Sequence, residues 1–181
     1  MDSLVEDNIV CLRQGLLLLE KLDYSSYTAK SEGTLNSSVG AHFRHNIDHY
    51  ECFLNGVATG QADYDHRERD PVTETHPEAA SDRMANIIDR LGALSPSQIV
   101  RPLRVKMDSG TASQEPWSQS TVRRELQFLV SHTVHHYALI AVICRAINVI
   151  PEEDFGVAPS TLRFQAEEQA HSDSDSVACA Q

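Results

Sequence analysis

The chain has 181 residues, 41% of them hydrophobic, and a formal net charge of −11 at pH 7. That length suits one domain with a sizeable core, and an acidic body without a basic patch excludes general nucleic-acid binding, whose affinity comes largely from neutralising phosphates. Met1-Asp2-Ser3 lacks the basic opening of a signal peptide and the apolar run Leu16–Leu19 is far too short to span a membrane, so the expectation is a soluble, cytoplasmic protein with no membrane partner.

A first helix is expected from about Ser3 to Leu22. Ser3 with Glu6 reads as a capping box, and Leu4, Ile9, Leu12, Leu16 and Leu19 recur at helical spacing. Residues 23–36 are polar and read as a loop, long enough for a crossing between helices. A second helix starts at Ser37 or Ser38, either a good N-cap, and runs to about Val57. Val39, Phe43, Ile47, Tyr50 and Leu54 form its apolar stripe, and Gly56 and Gly60 bracket its end. The charged stretch Asp63–Asp70, DYDHRERD, comes next. A solvated loop with local ion pairs accounts for it. The sharper reading puts Arg67 or Arg69 at the mouth of a site, holding an anionic group of a substrate.

Thr75 and Glu78 read as a capping box for a third helix, with Pro77 in its first turn. Ala80, Met84, Ile87, Ile88, Leu91 and Leu94 give its helical period, and Ser95-Pro96-Ser97 stops it. Leu103, Val105 and Met107 alternate, so a short strand or hairpin is expected within residues 98–119. A fourth helix runs from Ser120 or Thr121 to about Asn148. It is apolar on more than one face, which suits the buried centre of a bundle. Residues 152–164 carry two phenylalanines and are expected to pack back on the body. After Gln165 the chain is acidic and lacks aromatics, leucine and isoleucine, so disorder is expected there. The domain reading is a helical body over residues 1–164 and an acidic disordered tail over residues 165–181.

Six of the nine histidines lie in two of these helices. His132 and His136, four apart, share one helix face and can grip one metal ion. His42, His45 and His49 span only about 60° of their helix, so one of them can supply a third ligand from a facing helix. His135 lies about 100° around from His136 and points elsewhere. Three neutral imidazoles leave an ion its charge and an open position, the catalytic kind of site. Ligand type does not choose among zinc, nickel, iron and copper. Asp48 and Glu51 either orient a ligand ring from behind or are surface charges. Cys11, Cys52, Cys144 and Cys179 are widely spaced; the three in helices read as small core residues in a reduced compartment rather than as nucleophiles.

The strings SVGAHFRHNIDHYECFL, DYDHRERD, LVSHTVHHYALI and DFGVAPSTLR together resemble the DinB / YfiT-like superfamily, over roughly residues 4–164. The resemblance implies an all-α four-helix bundle, up-down-down-up, with a long crossover between helices two and three. It also implies a divalent metal, with His45 as the ligand of the second helix, seven residues after Ser38, and His132 and His136 as the pair of the fourth. His49 is the alternate one turn on, and His42 fits less well. Characterised members of the superfamily include bacillithiol S-transferases, a mycothiol-dependent isomerase and the metal-binding half of ergothioneine-type sulfoxide synthases. The synthases carry a glutamate two residues after the last ligand histidine, where this chain has Ala138.

Two functional readings follow. One is a metal-dependent enzyme of hydrolase or thiol S-transferase type. Its zinc, nickel or iron would activate water or a low-molecular-weight thiol for attack on a small electrophile, with no catalytic side chain yet assignable. The other is a non-catalytic metal-binding or partner-binding bundle. A homodimer is compatible with a bundle of this size.

Overall fold

The computed structural model describes residues 2–30, 36–108, 110 and 117–178, with side chains given through Gln169. Its elements run α1 (Ser3–Leu19), α2 (Tyr24–Thr28), α3 (Val39–Thr59), β1 (Gln61–Asp63), α4 (Pro71–Thr75), α5 (Pro77–Gly92), α6 (Pro96–Ile99), β2 (Pro102–Lys106), β3 (Ser118–Thr121), α7 (Val122–Ala146) and α8 (Pro159–Ala178). The four long helices α1, α3, α5 and α7 form the bundle, as expected.

Their directions follow from who meets whom. Along α1 and α7, Asp2 pairs with Arg123, Asn8 donates to the Leu126 carbonyl, and Gly15 lies against Tyr137, so these two helices are parallel. Between α3 and α7 the order reverses: His42 meets His136, His45 meets His132, and His49 meets Phe128. Between α3 and α5 it runs forward again, Glu51 to Arg83 and Asn55 to Arg90. The result is up-down-down-up, with the crossover carrying β1 and α4. The apolar stripes meet inside: Leu12, Phe43, Ile47, Tyr50, Met84, Ile87, Leu126 and Tyr137 are all fully buried. α7 has the length and apolarity of a membrane span, but it is a core helix of the bundle.

Several boundaries differ from expectation, each for a local reason. Asp2, not Ser3, caps α1, because its carboxylate accepts the Leu4 amide at 3.0 Å; the Ser3–Glu6 box does not form, and the helix stops at Leu19. Within the expected loop after it, Asp23 and Ser26 cap each other and nucleate the short α2. Ser38 caps α3 as expected, and Gly60, at φ +81°, ends it in left-handed backbone. The Thr75–Glu78 box is absent: Asp70 caps α4 ahead of Pro71, Thr75 closes that helix, and His76 opens α5 without a side-chain cap. Ser95 opens the short α6 in a box with Gln98 instead of merely ending α5.

The expected hairpin is β2 with β3, antiparallel, Pro102 opposite Thr121 and Val105 opposite Ser118. β1 joins it in parallel, Gln61 opposite Arg104 and Asp63 opposite Lys106. The sheet therefore ties the end of α3 to the start of α7. Phe155 does pack back, its ring stacked 4.5 Å from that of Tyr137, whereas Phe164 is exposed. Residues 165–178, where disorder is expected, continue α8; nearly all of its described side chains beyond Leu162 face solvent. Residues 179–181 lie outside the described chain.

Candidate metal centre

The strip of α3 bearing His42, His45 and His49 faces the strip of α7 bearing Phe128, His132 and His136, because both follow the helical repeat beside the buried stripes. One ring nitrogen each from His45, His132 and His136 lies within 4.8 Å of the other two. His45 Nε2 and His132 Nε2 are 3.2 Å apart. Two ligand nitrogens at the vertices of a tetrahedral zinc site, each about 2.0–2.1 Å from the ion, would be separated by about 3.3 Å. The observed spacing matches a ligand pair as well as a hydrogen bond.

Burial pushes the ring pKa values far below the ordinary histidine range, to about 2 for His45, about 3 for His136 and about 4 for His132, with neighbouring rings adding to it in each case and Arg67 adding to it for His45 and His132. All three are neutral at pH 7 and offer lone pairs. Without an ion, His45 Nε2 and His132 Nε2 face each other and only one of them can carry the proton between them, whereas two neutral imidazoles can each turn a lone pair towards an ion. The donor set fits a divalent ion, with imidazole ligands suited to zinc, nickel or iron.

The other two histidines of α3 have different work. His42 Nδ1 lies 2.9 Å from His136 Nδ1. With that nitrogen of His136 occupied, its Nε2 is the atom left for an ion. His49, the alternate ligand, is fully engaged: its Nδ1 donates to the His45 carbonyl at 2.7 Å and its Nε2 accepts from Arg67 at 2.8 Å. Both nitrogens are used, and His49 carries Arg67.

Arg67 thus stands beside the cluster, while Arg69 is exposed on left-handed backbone at φ +52°. Asp48 and Glu51 are taken up by arginines. Asp48 pairs with Arg44 at 3.1 Å, and Glu51 pairs with Arg83, so neither orients a ligand ring; they clip α3 to α5 and the crossover. His135 is exposed. Cys52 donates to the Asp63 carbonyl, and burial raises the thiols of Cys52 and Cys144 to about 11, which leaves both as packing residues. Sequence reasoning missed the brace from His42 and the aromatic walls Tyr64 and Phe128. Their only signals were position: His42 one turn before His45, Phe128 one turn before His132.

A family model of the DinB superfamily matches residues 13–140, most of the chain. The chain belongs to the DinB superfamily. The match spans the clustered histidines of both helices. Among solved structures, the crystal structure of a DinB-like protein, YjoA, from Bacillus subtilis superposes with a TM-score of 0.62 over 81% of this chain and 93% of that one, at 18% identity, which bears on the fold. Among curated proteins, FK506-binding protein 5 of Rhizopus delemar is 33% identical over 102 residues, 55% of this chain. The chain spans about a quarter of that relative's length (26%).

Proposed function

We propose that this DinB-superfamily protein is a metal-dependent enzyme acting on a small-molecule electrophile, with His45, His132 and His136 as the ligands of a divalent ion. The observation that carries the reading is the meeting of three neutral imidazole nitrogens from two helices beside a half-buried arginine. Such an ion, when bound, supplies Lewis acidity and lowers the pKa of a coordinated water or thiol at neutral pH. The chain's own residues do the rest. His42 holds His136 in one orientation through Nδ1. His49 fixes Arg67, whose guanidinium can pair with an anionic group of the substrate or of a low-molecular-weight thiol. Hydrolysis and thiol transfer both suit this arrangement.

A non-catalytic, partner-binding role is the second reading. It is favoured by the Rhizopus relative, in which the matched segment is a part of a much longer protein. Metal analysis by mass spectrometry on untagged protein, with turnover of thiol and ester panels, tests both. The enzyme reading expects about one equivalent of metal in wild type and in His49→Ala, none in His45→Ala or His136→Ala, and turnover that disappears with the metal. A wild type that takes up no zinc, nickel or iron, or a metal-loaded protein as inactive as His136→Ala, overturns it.

A further inference from the structure

One strip of α7 carries Arg124, Phe128, His132 and His136, each four residues from the next, so a single face runs from the metal ligands towards the sheet. At its far end lies a cleft of about 260 Å³ between α7 and the hairpin, lined by Tyr64, Val105, Met107, Ser120, Arg124 and Phe128. No histidine lines it, but its aromatic walls back onto the histidine rings. The Phe128 ring centroid is 5.4 Å from His132 and 5.7 Å from Tyr64, and Tyr64 stacks on His49 at 5.5 Å.

The walls are fixed before anything binds. The Tyr64 hydroxyl donates to the buried Glu125 carboxylate at 2.9 Å, and Ser120 Oγ donates to the other oxygen of that carboxylate. Tyr64 is 1% exposed and already meets Phe128 at 59°, so the open wall is the half-buried Phe128 ring with Val105 and Met107, on which an inserted ring can pack. The Arg124 guanidinium, 5.5 Å over the Phe128 ring, also borders the cleft and can turn to the π-face of an inserted ring. Whole-ligand sites run to about 300–1,000 Å³, so this cleft suits one part of a molecule.

We propose that the Tyr64–Phe128 cleft is a specificity subsite for an aryl group, the apolar end of a substrate whose reactive end lies at the histidine cluster. The assignment of its occupant rests on the metal-enzyme reading above; the cleft's affinity for a ring does not.

The test uses the full chain and phenol as a neutral aryl probe, followed by amide chemical shifts, with and without zinc, and with cyclohexanol as the non-aromatic control. Shifts should concentrate at Tyr64, Val105, Ser118–Ser120 and Phe128. Phenol should bind at least several-fold tighter than cyclohexanol and lose about tenfold in Phe128→Ala. Val105→Phe, which fills the cleft from the strand and leaves both aromatic walls in place, should block it equally. Dispersed shifts, equal affinity for the two probes, or unchanged binding in both variants overturns the subsite. Binding without zinc alongside absent metal uptake would retain the subsite and sink the metal reading; the converse pattern would do the reverse.

Discussion

His42 Nδ1 and His136 Nδ1 face each other at 2.9 Å across the α3–α7 interface. Only one of them can carry the proton. An ion held at His136 Nε2 requires the proton on His136 Nδ1, so His42 is the acceptor and acts through its neighbour's tautomer. Partners of this kind are worth about 10–100-fold in metal affinity. His42→Ala should therefore keep one zinc per chain but bind it about 10–100-fold more weakly in competition with a chelating dye. Complete loss of zinc would instead make His42 a ligand, and unchanged affinity would make the contact idle.

The depressed ring pKa values have a pH consequence. Unfolded, these histidines titrate near 6.5; folded, burial holds His45, His132 and His136 neutral down to about 4 or below. Between about pH 6.5 and 4 the unfolded chain binds more protons than the folded one, so stability falls as pH is lowered through that window. Above it these rings contribute no pH dependence. The metal-free protein should show a melting temperature that declines steadily from pH 7 to pH 5, and His45→Phe should flatten part of that slope. Zinc, competing with protons for rings that protonate only near pH 4, should stay bound at pH 5.5. Release near pH 6.5 would show rings as open to water as free histidine.

How far the site could be read from the chain depends on which facts are local. Helical spacing is local, so the apolar stripes, the Ser38 cap and the shared face of His42, His45 and His49 were all legible. Which of those three joins His132 and His136 in one cluster was not legible in the spacing, because it depends on the register of α3 against α7: His45 opposes His132, and His42 opposes His136. His49 is engaged by Arg67, which arrives from a loop eighteen positions later. β1 is three residues long and pairs with β2 some forty positions on, and no local pattern announces such a pairing. Asp48 and Glu51 stand on a face whose partner, α5, the spacing of histidines could not identify.

Arg83 is that partner's anchor. Its guanidinium reaches Glu51, Asp70 at 3.2 Å, the Thr73 hydroxyl at 2.8 Å and Asp48 at 4.0 Å. Asp48 has no exposed side-chain surface, and burial pushes its carboxyl up despite Arg44 and Arg83 beside it. Taking away one partner of a buried charge costs about 3–5 kcal/mol, chiefly through the charge left behind. Arg83→Ala should lose about 3 kcal/mol by urea unfolding while retaining its zinc stoichiometry, since no ligand touches Arg83. The double variant Arg83→Ala, Asp48→Asn should recover part of the loss. A loss below about 1 kcal/mol would place the network among ordinary surface ion pairs.

Tyr137 offers the opposite case, a polar group whose removal should help. Its ring is fully buried and stacks on Phe155, but its hydroxyl finds no hydrogen-bond partner among the described residues. The reason is close packing: a Cβ at Gly15 would come within 2.1 Å of that oxygen, so α1 approaches too closely for a donor or acceptor to fit. Deleting an unsatisfied buried hydroxyl removes a desolvation cost of about 1–3 kcal/mol and leaves a small void in exchange. Tyr137→Phe should thus be neutral or stabilising by up to about 1 kcal/mol, where most core substitutions destabilise. Gly15→Ala in the wild-type background forces its methyl against the hydroxyl and should cost about 1–3 kcal/mol. In the Tyr137→Phe background the nearest clashing atom is gone, and the Gly15→Ala penalty should shrink. Equal penalties in the two backgrounds, measured by a double-mutant cycle, would mean that the Tyr137 ring and Phe43, and not the hydroxyl, set the helix spacing.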